Sequence, residues 1–124
     1  MPSVLHEALV SELRRRPEVV ALLLGRTGVR SEPPTAATVE DPNVGDAVAA
    51  ELRADLALRF DGPVPHRWIV EVQLRRDESR RGTWPAYVAS TWRRHGERVG
   101  LLVLTPHRST ARWAAEPICY SPNT

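Results

Sequence analysis

The chain has 124 residues, 42% of them hydrophobic and 26% charged, with a formal net charge of +2: one domain with a single modest core, and too nearly neutral for total charge to argue a nucleic-acid partner. All 17 basic residues are arginine and the single cysteine is Cys119, which excludes an intramolecular disulfide framework, and no Cys/His spacing suggests zinc. No apolar run is long enough for a membrane span and the first residues carry no signal-peptide pattern, so a cytoplasmic protein without membrane contact is expected.

Ser3 is placed to cap a first helix that runs to about Arg16, with Leu5, Leu9 and Leu13 along one face and Ala8 and Val10 at its edges. Pro17 stops it, Pro17-Glu18 opens a short second helix through Val20, Leu23 and Leu24, and Gly25 is placed to end that one. Arg26 to Pro34 reads as a loop, rich in Gly, Ser and Pro. Thr35 to Asp41 reads as a short strand ended by Asp41-Pro42-Asn43, and a turn-rich segment to about Val48 leads on.

The next stretch organises the rest. Leu52, Ala54, Leu56, Leu58 and Phe60 alternate with Glu51, Arg53, Asp55 and Arg59, the period of a half-buried strand. After Asp61-Gly-Pro-Val-Pro65 a second strand repeats the pattern, with Trp68, Val70, Val72 and Leu74 on one face and Ile69, Glu71, Gln73 and Arg75 on the other. A hairpin centred on Pro63 sets Asp55 across from Glu71 and Arg53 across from Gln73. Opposed carboxylates repel unless a proton or a cation sits between them. A hard divalent ion such as Mg²⁺ or Mn²⁺ suits two carboxylates completed by water and a substrate phosphate. The plainer possibility is a solvated face balanced by Arg53 and Arg59, whose surface pairs are worth little.

Beyond the hairpin, Asp77 to Thr83 reads as a connection broken at Gly82, and Thr83 or Trp84 followed by Pro85 as a helix start. Trp84, Val88 and Trp92 recur at four-residue spacing as a core-facing stripe, and Gly96 ends the helix after Arg93, Arg94 and His95. Val99 to Leu104 is a continuous apolar run, expected to be a strand buried on both faces beside the second hairpin strand. Thr105-Pro106 caps a last helix to about Ala115, and Ile118 to Tyr120 reads as a final short strand.

Asp55 and Glu71-Val72-Gln73, with the hairpin before them and the run Arg75-Arg-Asp-Glu-Ser-Arg80-Arg81 to Tyr87 after them, resemble the PD-(D/E)XK phosphodiesterase superfamily. The likeness is to its Glu-x-Gln variant, seen in transposase-like and recombination-promoting nucleases. It implies one domain over residues 1–124 with an α/β, restriction-endonuclease-like core: a central mixed sheet of about four strands flanked by helices. It further implies hydrolysis of DNA with Mg²⁺ or Mn²⁺ held by Asp55, Glu71 and the carbonyl of Val72, with Gln73 in place of the family's catalytic lysine. Glu7 on the first helix, Arg80 or Arg81, and Tyr87 are the supporting residues it suggests. Independently of the resemblance, the local clustering of Arg75, Arg76, Arg80 and Arg81 beside the site and of Arg93, Arg94 and Arg98 after the next helix could line a path for a phosphate backbone, or be no more than a solvated arginine-rich surface. His6 reads as a surface or satisfied histidine. DNA is the partner implied, and a homodimer is open to such a domain. The alternative is a nuclease-fold domain of weak or lost activity that binds DNA or a protein.

Overall fold

Alternation about Pro63 dictates a register, and the computed structural model has it: Leu56 pairs with Val70, Leu58 with Trp68 and Phe60 with His66. The structure describes residues 3–28, 36–42 and 53–119. In chain order these form α1 (Val4–Arg15), α2 (Glu18–Thr27), β1 (Ala37–Glu40), β2 (Leu56–Phe60), β3 (His66–Val72), α3 (Arg80–His95), β4 (Arg98–Leu104) and α4 (Arg108–Ala114). The strands make one mixed sheet in the order β1-β2-β3-β4. β1–β2 and β2–β3 are antiparallel, and β3–β4 is parallel because α3 carries the chain back between them. The expected α/β class, a sheet of four strands flanked by helices, is what the described residues form.

Two apolar layers follow from the two faces of β3. Leu56, Leu58, Phe60, Trp68, Val70 and Val72 point to one side, where Val10 and Leu13 of α1 and Val20, Ala21 and Leu24 of α2 cover them. Ile69 points to the other, under Trp84 and Tyr87 of α3 and Trp113 of α4. The second face of β3 is therefore not solvated from Ile69 onward, while Ala57 and Arg59 of β2 on the same side are half-buried. Both faces of β3 are covered, and its last five residues are all buried.

Several boundaries and faces differ from the sequence expectation. Gly25 lies within α2, and the helix ends at Gly28, whose φ of 75° is the left-handed conformation a side chain would oppose. α3 starts before Pro85, because Asp77 organises a turn: its Oδ1 accepts from the N–H and hydroxyl of Ser79 at 3.1 and 2.6 Å, and its carbonyl accepts from Arg80 N–H at 3.0 Å. The buried positions of α3 are Trp84, Tyr87 and Thr91, a three-and-four spacing. Trp92, expected in the core, is 63% exposed. β4 is the sheet's edge, partly rather than doubly buried, and β3 is its one strand neighbour among the described residues.

α4 begins at Arg108, not at Thr105. Ile118 packs under α3 without forming a strand, and Tyr120 lies outside the described residues, as do Thr35, the segment to Val48, Glu51 and Leu52. Among the described residues no helix is long and apolar enough to cross a membrane.

Gly100 of β4 lies opposite Trp68. A Cβ there would fall 2.2 Å from the indole. That indole is buried and stacked on His66 with ring centroids 4.7 Å apart, so it has little room to yield. Gly100→Ala is expected to destabilise the fold by about 1–3 kcal/mol, measured by urea denaturation. Unchanged stability would show that the indole can shift.

Candidate functional site

The alternation breaks at Asp55. β2 begins only at Leu56, and Asp55 is a bend. Ala54, expected beside Leu56, therefore joins the opposite layer with Ile69 and Trp84, its N–H donating to the carbonyl of Pro42 at 2.8 Å. The two strands are joined at this point by side chains rather than by ladder bonds. Asp55 N–H donates to Glu71 Oε2 at 2.8 Å, and Val72 N–H donates to Asp55 Oδ2 at 2.9 Å. Arg14 of α1 donates to the Asp55 carbonyl at 3.1 Å. Asp55 and Glu71 are thus neighbours, as the register implies, with each carboxylate bonded to the backbone of the other strand.

Glu71 lies on the β3 face that α3 covers, and it is 3% exposed. Burial, and next the charge of Asp55, push its carboxyl up from 4.5 to about 8, against the pull of Arg80. An Arg80 nitrogen stands 3.8 Å from Glu71 Oε1. Tyr87 is fully buried; its hydroxyl donates to the carbonyl of Arg53 at 3.0 Å and accepts from Arg80 at 3.5 Å. Burial, then Glu71, push that phenol to about 12, which keeps it protonated at physiological pH.

A solvated, arginine-balanced face does not describe this site. Arg59 sits further along the hairpin, bidentate to Glu97 at 2.9 and 3.0 Å and paired with Asp61. Arg67 joins the same cluster, donating to Glu97 at 2.8 Å and pairing with Glu40. Hydrogen bonding from Arg59 foremost, with Arg67, holds the Glu97 carboxyl down at about 2.

A cavity of about 460 Å³ opens at Asp55 and Glu71, lined also by Ser3, His6, Val72, Gln73, Arg75 and Arg80. Of the arginines singled out in the sequence, the structure brings Arg75 and Arg80 to it. Arg81 turns away and donates to the carbonyls of Trp113, Glu116 and Pro117 at 2.9, 2.9 and 2.6 Å, tying α4 to the start of α3. Arg76 pairs with Glu78 at 3.2 Å and lies over the Trp113 ring. Arg93 and Arg94 are at the opposite end of α3, roughly 20 Å from Arg80 by helix rise, so the six do not form one basic track. Gln73 is buried at the site, and its Nε2 donates to the carbonyl of Arg75 at 2.8 Å.

Glu7 does not line the cavity; its side chain is 64% exposed. His6 does, with Nε2 3.1 Å from Asp55 Oδ2. The helical phase carried that signal: His6, Val10 and Leu13 lie four and three residues apart, and Val10 and Leu13 are the buried residues of α1. Placing the stripe on Leu5, Leu9 and Leu13 turns His6 away, whereas Leu5 is in fact exposed.

The donors present are hard oxygens. Asp55 Oδ2 accepts from Val72 N–H and from His6, and the Glu71 carboxyl in its protonated form hydrogen-bonds to the Asp55 carboxylate. A buried carboxylate raised by a like charge is one a divalent cation would relieve, so the set fits Mg²⁺ or Mn²⁺ completed by water and substrate. Among the described residues no group of three or more His, Cys, Asp or Glu side chains is disposed around a metal position, which fits a zinc centre poorly. Compared with known proteins, the chain matches no family model, no curated sequence and no solved structure.

Proposed function

We propose that the chain is a divalent-metal-dependent nuclease that hydrolyses phosphodiester bonds of DNA, built on a restriction-endonuclease-like core. The observation that carries the reading is the pair Asp55 and Glu71, cross-bonded at the end of the hairpin and open to a cavity that also holds Arg75 and Arg80. Asp55, Glu71 and the carbonyl of Val72 would hold Mg²⁺ or Mn²⁺, which supplies Lewis-acid polarisation of the phosphodiester and a bound water of lowered pKa.

The chain's own residues do the rest. Arg75, exposed at the cavity rim, meets the phosphate from solvent. Arg80 sits against Glu71 and the Tyr87 hydroxyl, and it supplies the positive charge that a lysine at position 73 would have given to the developing phosphorane. Tyr87 fixes Arg80 and, through the carbonyl of Arg53, the approach to the bend at Asp55.

A second reading, a nuclease-fold domain that binds DNA without cutting, is favoured by one observation: the Gln73 amide is spent in part on the carbonyl of Arg75. Supercoiled plasmid separates the two. Nicking in Mg²⁺ or Mn²⁺ that EDTA abolishes is the expected result. Salt-sensitive retardation of DNA with no cleavage in either metal would leave the binding module.

A further inference from the structure

Asp55 lies in a bend outside the β2 ladder, so the sheet does not fix its side chain. Two hydrogen bonds do, and both end on the same oxygen: Val72 N–H at 2.9 Å and His6 Nε2 at 3.1 Å meet Oδ2. A carboxylate oxygen only accepts, so Nε2 carries the hydrogen. The other ring nitrogen, Nδ1, is buried without a hydrogen-bond partner, with Glu7 Oε1 at 3.6 Å. The backbone of His6 is itself set by the helix cap, its N–H donating to Ser3 Oγ at 3.1 Å. A half-buried histidine whose buried Nδ1 is left unsatisfied is a costly way to stabilise a helix, and its one strong contact is the carboxylate that faces the cavity.

Resting on the nuclease reading above, we propose that His6 is a positioning residue for Asp55: with Val72 N–H it saturates Oδ2 and presents Oδ1 to the metal. Turning the carboxylate away from this orientation would break both bonds at once. α1 is thereby part of the site through a side chain that touches neither metal nor substrate, the kind of outer partner that orients a ligand.

The test is Mn²⁺ affinity of the full chain, read from the free-ion electron paramagnetic resonance signal, for native protein, His6→Ala and His6→Gln, with metal-free thermal midpoints recorded alongside. His6→Ala is expected to weaken Mn²⁺ binding about 10- to 100-fold. His6→Gln, whose amide nitrogen reaches a comparable distance, is expected to recover most of it, and it carries the test if the alanine variant fails to fold. Native-like affinity in His6→Ala, or no recovery in a His6→Gln protein of native thermal midpoint, would overturn the positioning role while leaving the nuclease reading intact. Absence of Mn²⁺ binding by the native chain would sink both.

Discussion

At pH 8 and without metal, Glu71→Gln is expected to make the protein more stable, not less. The native carboxyl titrates near 8 in the fold against an ordinary 4.5. A folded pKa above the unfolded one means that the group's favourable contribution is complete below about 4.5 and is lost as pH rises through about 8. At about 1.4 kcal/mol per unit, the loss approaches 5 kcal/mol at most, and relaxation of the pair leaves an expected gain for glutamine of about 2–3 kcal/mol. Glutamine keeps an oxygen for Asp55 N–H while removing the charge that burial and Asp55 oppose. Urea denaturation at pH 5, 6.5 and 8 checks the sign: native stability should fall across that window and the variant's should stay nearly flat. Equal slopes would mean that Glu71 is ionised at no cost.

With saturating metal the order should reverse. A ligand at 1,000 times its dissociation constant stabilises by about 4.1 kcal/mol, more than the glutamine gains, and only the native chain has both carboxylates to bind it. A residue that costs stability in the free protein and recovers it with a ligand is what a functional site looks like, since activity and stability trade against each other there.

Asp55→Ala is expected to have the largest effect on activity, a loss of cleavage of at least about 10³-fold, equivalent to roughly 4 kcal/mol of transition-state stabilisation. Its effect on stability should be smaller. Val72 N–H and His6 lose their acceptor, worth about 1–3 kcal/mol, while Glu71 loses a repelling neighbour, which acts the other way. Cleavage rate and urea midpoint measured on one preparation separate the two. A variant that loses activity in proportion to its folded fraction would mark Asp55 as structural.

The hairpin was legible because its period of two and its Pro63 turn leave one register that keeps Leu56, Leu58 and Phe60 with Trp68 and Val70. That register also brought Asp55 and Glu71 together. The burial of Glu71 was not legible, since alternation alone gives a strand one wet face, and it is the packing of the next element, α3, back across the sheet that covers it. Trp92 misled because four-residue spacing fits two neighbouring stripes of a helix; the stripe through Tyr87 and Thr91 is the buried one, with Trp84 and Tyr87 packing on Ile69 and Trp113. His6 and Arg80 needed a similar decision of phase and distance. Once α1 is turned so that Val10 and Leu13 face the sheet, His6 comes to Asp55, and once α3 begins at Arg80 that arginine, rather than Arg81, faces the site.

The central claim, that Asp55 and Glu71 form one metal-dependent cutting site, is tested most directly by plasmid cleavage in Mg²⁺ or Mn²⁺ with the native chain beside Asp55→Ala and Glu71→Ala. The account predicts that the native protein converts supercoiled plasmid to nicked and linear forms and that neither variant does. Cleavage by the variants at the native rate, or no cleavage by any of the three, would contradict it.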